Sequence, residues 1–554
     1  MKTVIVYLAT IVILFSCKKS NGSTPPVMSP FTAIRETVND STNSSLSFFN
    51  INYDPLIKIS FSAPINTSTV AASIVFFGSN SAVVSNYSYA NNDSTLIIQP
   101  ASALQPLTSY TVNVSTGLKS VGDSSLKTDI KINFVTQIDS TDKFPQISDS
   151  ALLTLVEQQT FTYFWNLGDP TSGLARERAS GATVTTGGSG FGIMSMLVGV
   201  QRNFITRAEA LSRITTIVNF LTNNVTTYHG AFSHWLNGTT GATIPFSTQD
   251  DGADIVETSY MMQGLLCARQ YFNSTTDPGE TSLRTAINNL WNHVDWNWFR
   301  QNGQNVLYWN WSPDYAWAIN VQVNGWCEAL ISYVLAASST VDSATIPSIV
   351  YDNGWARNGG MKNGKSFYGI TLPLGPDYGG PLFFAHYSFL GINPNSLSDA
   401  YANYWTQDTA HARINYLYCV NNPQHYNGYS ALCWGLTASD DNISGYSAHS
   451  PTNDLGIISP TAAISSLPYT PTESMNAIRF FYYKLGDKIW GKYGFVDAFN
   501  LTNPWYDNDF LAIDQGPEIV MIENYRSGLL WNLFMSCPEV KAGMLKLGFH
   551  SPYL

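Results

Sequence analysis

The sequence predicts a multidomain chain in which a small all-β sandwich precedes an all-α domain of helical hairpins closed into a double ring. Three observations carry this. Over residues 31–138 short runs of alternating apolar and polar residues recur between Asn, Ser and Pro turns. From Ser148 onward the apolar period becomes helical, with no βαβ alternation and no phosphate-binding glycine loop. The length, 554 residues, exceeds what one compact core accommodates.

The first 17 residues read as an export signal. Lys2 provides a basic start, residues 4–15 are apolar but too few to span a membrane, and Leu14-Phe15-Ser16-Cys17 closes the run. That ending resembles a bacterial lipobox, which makes Cys17 the expected lipidation site. Residues 18–30 then form a flexible tether, so the expected place is the periplasm or outer membrane, with contact to the membrane through the lipid alone. Within 31–138 the runs Leu56-Ile57-Lys58-Ile59-Ser60-Phe61, Leu96-Ile97-Ile98-Gln99-Pro100, Tyr110-Thr111-Val112-Asn113-Val114 and Ile130-Lys131-Ile132-Asn133-Phe134 are the predicted strands. A polar joint leads into the domain expected over 145–554. Helical periodicity covers 151–167, 191–203, 207–223, 253–272, 283–294, 317–337, 398–420, 472–485 and 519–534. Paired helices of this number fit a ring whose inner ends and long loops form one cleft, although an open helical array has the same periodicity.

Composition limits the chemistry. Charged residues are 12% of the chain, about half the usual share, and aromatics 13%. A weakly charged surface rich in rings, amides and hydroxyls suits a neutral, hydroxylated ligand such as a sugar. The net charge of −11, with no run of Lys and Arg, argues against nucleic acid. Five cysteines follow Cys17, without metal-ligand spacing, so neither thiol catalysis, a metal nor a cofactor is expected, while one disulfide stays possible.

The acids stand out against that background. Residues 247–262, STQDDGADIVETSYMM, place Asp250, Asp254 and Glu257 on one stripe if the segment is helical from about Gly252, with no basic residue near. Like charges at that spacing raise one another's proton affinity, which suits general acid/base work. Glu328 is the lone acid of the predicted helix 317–337. Trp309, Trp311, Tyr315, Trp317 and Asn320 form an aromatic and amide patch before it, and two of the four rings are expected to touch ligand. His234, Trp235, His386, Tyr387 and Trp434 are further loop residues of the sugar-contacting type. Asp514 is balanced between a cleft role and capping a helix that begins at Pro517.

These segments also carry resemblances. KISFSAPINTSTV (58–70) and LIIQPASALQPLTSYTVNVSTGLKSVGD (96–123) resemble bacterial Ig-like domains. SGFGIMSMLVGVQRNFITRAEAL (189–211), HWLNG (234–238), STQDDGADIVETSYMMQGLL (247–266), VNGWCEALISYVLAASS (323–339), YGGPLFFAHYSFLG (378–391), YNGYSALCWGLTASD (426–440) and AIDQGPEIVMIENYRSGLLWNLF (512–534) resemble the glucoamylase-like proteins of glycoside hydrolase family 144. The resemblance implies an (α/α)6 barrel and an endo-β-1,2-glucanase releasing sophoro-oligosaccharides with inversion. It also implies that Asp250, Asp254, Glu257 and Glu328 are the acids that matter. Exo-acting release of sophorose, transglycosylation, and a non-catalytic glycan-binding lipoprotein are the alternatives. A monomer is expected, with a β-glucan as its partner.

Overall fold

The computed structural model describes residues 30–78 and 81–554. The signal segment, Cys17 and the tether lie outside the described residues. Two compact units form, one from residues 30–105 with Tyr110–Phe134, the other from Pro106–Ser109 with Val135–Leu554.

The first unit is a β-sandwich. One sheet has the order Ala33–Val38, Ile57–Phe61, Thr95–Pro100, Ser85–Ala90; the other runs Ser47–Ile51, Ile130–Thr136, Ser109–Val114, Ile74–Gly78, Ser81–Ala82. The period-2 pattern drives it: Ile57, Ile59 and Phe61 point inward to meet Val112, Val114, Ile130 and Ile132 in one core.

The second unit is an (α/α)6 barrel. Six inner segments alternate along the chain with six outer ones among the described residues. The inner set is Thr186–Gln201, Ile255–Tyr271, Leu330–Ser338, the 3-10 turns Leu382–Ala385 and Ser388–Leu390, Pro460–Ser465, and Ala512–Ser527. The outer set is Asp149–Leu167, Arg207–Asn223, Pro278–His293, residues 348–355, Tyr404–Asn421 and Pro471–Ile489. Burial separates the two layers. The Leu330 helix is buried along its whole length, whereas the Arg207 helix buries only Ala210, Ile214, Ile217, Val218, Phe220 and Leu221. Polar side chains link inner segments: Ser259 Oγ donates to Ser332 Oγ at 2.8 Å, Gln263 Nε2 to the Ser388 carbonyl at 3.0 Å, and Thr461 Oγ1 to the Asp514 carbonyl at 2.9 Å. Where the Thr186 and Ile255 helices cross, Gly190 and Gly264 bring the backbones together. A Cβ on Gly190 would run into the Tyr260 carbonyl, and one on Gly264 into the carbonyl of Gly190.

Inner-to-outer connections are short, as over 202–206 and 272–277. Outer-to-inner ones are long, as over 224–254, 294–329 and 422–459. Every long connection therefore opens at the end of the barrel where inner helices begin, and the cleft lies there.

Several boundaries differ from the sequence expectation. The predicted helix 317–337 exists only as Leu330–Ser338; its first half is loop with a two-residue strand, Gln322–Val323. The helix expected from Phe191 starts at Thr186 and so takes in Gly187, Gly188 and Gly190. The span 519–534 is two helices parted at Gly528, whose φ of 71° ends the first, and the first begins at Ala512 with Pro517 inside it. Asp514 is thus within the first turn and is not its cap. All five described cysteines are free, so no disulfide forms among them.

Candidate active site

A cavity of about 410 Å³ opens at the N-terminal end of the inner ring. His234, Trp235, Phe246, Glu257, Trp309 and Glu328 form one side, and Glu177, Arg178, Tyr446 and Ile513 lie among its remaining lining residues.

The acids converge by loop geometry rather than by a helical stripe. Ala253–Asp254 is a short strand paired with Asn310–Trp311, and the helix begins only at Ile255. Asp254 is its N-cap: Oδ1 accepts the Val256 and Glu257 N–H groups, each at 2.9 Å. Its Oδ2 lies 3.1 Å from His234 Nδ1 and accepts the Trp309 indole N–H at 3.2 Å. Both oxygens are engaged, so Asp254 holds the histidine and the tryptophan in place. Asp250 sits in the preceding turn, outside the cavity lining. Burial, then the Asp254 charge, lifts its pKa to about 6 against the pull of His234 and Asn310.

Glu257, in the first turn of the helix, faces the cavity. Its Oε2 accepts the Gly187 N–H at 2.7 Å and the Thr185 hydroxyl at 3.3 Å. A Cβ at Gly187 would stand 2.6 Å from that oxygen, so glycine is what lets the carboxylate reach the first turn of the neighbouring helix. Burial raises the Glu257 pKa, opposed by His234 and reinforced by Asp254. For His234 burial works downward, but Glu257, the Asp254 hydrogen bond and Asp250 outweigh it and lift the pKa to about 9, so the imidazolium persists at neutral pH.

Glu328 reaches the same cavity from a turn just before Leu330, not from within a helix. Its carbonyl accepts the Ser388 hydroxyl and, at 3.4 Å, that of Tyr260, which fixes the turn. Its Oε2 is buried without a hydrogen-bond partner. Burial first, and then Asp254 and Glu257, push its pKa up to about 7.

Glu177, Arg178 and Tyr446 line the rest of the cavity with Asp440 behind them. Arg178 Nη1 donates to Asp440 at 2.9 Å, and its Nε to Glu177 at 3.0 Å. Tyr446 faces Asp440 across the hairpin Ala438–Asp441/Gly445–Ala448. Sequence reasoning missed Glu177, Arg178, Phe246, Tyr260 and Tyr446. The one available signal was the charge-dense ARER at residues 175–178 in a chain so poor in charge. Among the described residues, Asp440, Asp497 and Asp507 could share a cation, with oxygens within 4.8 Å of one another, but Arg178 already neutralises Asp440.

Trp235, Trp309 and Tyr387 line the cavity with His234, Glu257 and Glu328. The other expected ligand contacts lie elsewhere. His386 is buried with Nε2 3.0 Å from Ser466 Oγ, and burial, then His411, lowers its pKa to about 3, so it is a neutral core histidine. Trp434 is fully buried and donates to the Glu473 carbonyl at 3.3 Å. Asp514 is buried beside Asp497, outside the lining, and burial raises the proton affinity of both. Trp311, Tyr315, Trp317 and Asn320 all sit on the 294–329 connection, also outside the lining, so Trp309 alone of the aromatic patch enters the cavity.

A double helical ring with carboxylates and aromatic rings around a cavity at its open end is the architecture of (α/α)6-barrel glycoside hydrolases. The glycoamylase family model matches residues 320–538 and the bacterial Ig-like domain model residues 31–136. A solved endo-β-1,2-glucanase from Chitinophaga pinensis is 51% identical, covering 74% of this chain and 100% of its own, with a TM-score of 0.71. The β-1,2-glucanase structure from Parabacteroides distasonis is 35% identical over 94% of this chain and 73% of its own, with a TM-score of 0.70. A curated exo β-1,2-glucooligosaccharide sophorohydrolase (non-reducing end) from Parabacteroides distasonis is 45% identical over 424 residues, 72% of this chain and 58% of that protein's length. The chain belongs to glycoside hydrolase family 144, the glucoamylase-like family, with a bacterial Ig-like domain in front.

Proposed function

We propose that the chain hydrolyses β-1,2-glucosidic bonds by acid/base catalysis with inversion. The observation that carries this reading is that Glu257 and Glu328, from different helical hairpins, face one aromatic-walled cavity. Glu328, with an unpartnered buried oxygen and a raised pKa, is the proton donor to the departing oxygen. Glu257, oriented by the Gly187 N–H and the Thr185 hydroxyl, activates the water. Asp254, which caps the helix and holds His234 and Trp309, is a positioning residue, and Asp250 adds negative charge beside it.

The donor assignment sets a pH limit. A raised carboxyl pKa means that the proton is held below about 7 and lost above it. The kcat/KM profile therefore falls on the alkaline side with an apparent pKa near 7, and an alkaline limb well above 8 would remove Glu328 from the role.

The test of substrate is a panel of linkage-defined glucans with reducing-end detection. New ends from the β-1,2-linked glucan alone are expected; release from α-1,4-linked starch with none from β-1,2-glucan overturns the reading. A second reading, sophorose release from chain ends, is favoured by the 45% identity to the exo-acting relative. Product sizes over time separate it from endo cleavage, and growth of longer products would mark a transglycosylase. We further propose an exported lipoprotein anchored through Cys17, acting as a monomer, with the Ig-like unit as spacer.

A further inference from the structure

We propose that the barrel end carrying the cavity also holds outer glucan-binding sites, an aromatic shelf and an amide cleft that grip the polysaccharide where it leaves the cavity. This rests on the hydrolase reading above. At about 410 Å³ the cavity is at the small end for a ligand site, so a long chain must run out over the surrounding loops.

The 294–329 connection offers such a path. Trp309 lines the cavity, and Trp311, two residues on, packs edge-on against His229 at 5.0 Å and Trp298 at 6.3 Å between ring centres. Trp298 is 39% exposed, yet its indole lies flat on His229 at 3.7 Å and 15°, which fixes the ring while leaving part of it open to solvent. Trp317 continues the shelf at 6.4 Å and 32°. An immobilised, exposed indole suits the apolar C–H face of a sugar and loses little entropy on binding.

Beyond Trp317, Tyr308 joins shelf to cleft. Its ring packs on Trp317 at 5.8 Å, and its hydroxyl lies 2.9 Å from the Gln304 side chain and 3.0 Å from that of Gln322. These two amides border a cleft of about 300 Å³ whose opposite wall, Asn353, Arg357 and Asn358, comes from the next hairpin of the barrel. Among the described residues those three side chains have no hydrogen-bond partner. No carboxylate and no aromatic ring lines the cleft. Free carboxamides and a guanidinium, without negative charge, match neighbouring sugar hydroxyls and exclude a cationic or apolar occupant. Gln304 and Gln322 sit on the outer-to-inner connection 294–329, while Asn353 lies near the end of the outer segment 348–355 and Arg357 and Asn358 begin the connection after it, so the cleft shares the cavity's end of the barrel.

The experiment compares the full chain with Trp298→Ala and Arg357→Ala on long β-1,2-glucan and on its tetrasaccharide. Trp298→Ala is expected to raise KM for the polymer about tenfold, the loss of one ring contact, with kcat unchanged. Arg357→Ala follows in the same direction, and neither variant alters the tetrasaccharide parameters. Arg357→Ala also leaves the melting temperature unchanged, whereas Trp298→Ala lowers it by the ring contacts it removes. Unchanged polymer KM in both variants overturns the proposal, and so does an equal loss on both substrates. Should the parent chain cleave neither substrate, the hydrolase reading fails. Polymer affinity of the parent against Trp298→Ala by calorimetry then still decides the shelf.

Discussion

Glu328→Gln and Glu257→Gln are each expected to lower kcat on β-1,2-glucan by about 10²–10⁴-fold, the usual cost of losing a catalytic acid or base. Gln keeps the shape of Glu and removes the titratable proton, so the loss measures chemistry rather than packing. The two variants should differ in a second respect. The Glu257 carboxylate accepts the Gly187 N–H and the Thr185 hydroxyl, and a glutamine there must turn its oxygen toward both donors. Some loss of stability should therefore accompany Glu257→Gln. The unpartnered Oε2 of Glu328 imposes no such demand, so Glu328→Gln should melt as the parent does. Glu328→Gln should also abolish the alkaline limb near pH 7, because that limb belongs to its proton. Near-normal turnover in either variant would remove that residue from the mechanism.

Gly190→Ala should destabilise the barrel by about 3 kcal/mol or more, at the upper end of what overpacking costs. The added methyl meets the Tyr260 carbonyl, and backbone cannot swing aside as a side chain can. The two helices must separate, and because Glu257 lies on one and Gly187 on the other, activity should fall with stability. Gly264→Ala should behave alike, since its methyl meets the carbonyl of Gly190. The measurement is the calorimetric transition of the full chain, with the sandwich and barrel fitted as separate units. A barrel transition unchanged in both variants would show that the two helices part at this crossing without cost, against the expectation.

The sandwich and five of the six outer segments were legible because each buries one face, and a half-buried element writes its period into the sequence; the short outer segment 348–355 was not expected. Ile57, Ile59 and Phe61 alternate, and Ala210, Ile214, Ile217 and Leu221 recur at helical spacing. The inner ring was harder. Leu382–Ala385, Ser388–Leu390 and Pro460–Ser465 are short and mostly enclosed, so no polar face marks them. The start of the Thr186 helix was hidden for another reason. Gly187 and Gly188 argue against a helix by propensity, but the tight approach of Glu257 and Ala512 requires them. Tertiary packing overrode local preference at that point.

Of the candidate site, the sequence by itself singled out Glu257 and Glu328, two of the three acids that line the cavity, together with Asp254 and Asp250 behind them. In a chain with 12% charged residues, Asp250, Asp254, Glu257 and Glu328 stood out as uncompensated carboxylates. Only the tertiary structure decided what each can do. It made Asp254 a cap with both oxygens taken, and set Glu257 against the Gly187 N–H. It brought Glu328 in from a turn and faced the group with Arg178 and Tyr446 from distant loops. It also withdrew His386 and Trp434 into the core. The physical reason is that proton affinity and reach depend on burial and on neighbours, and those neighbours come from helical hairpins far apart in the chain that meet only when the ring closes.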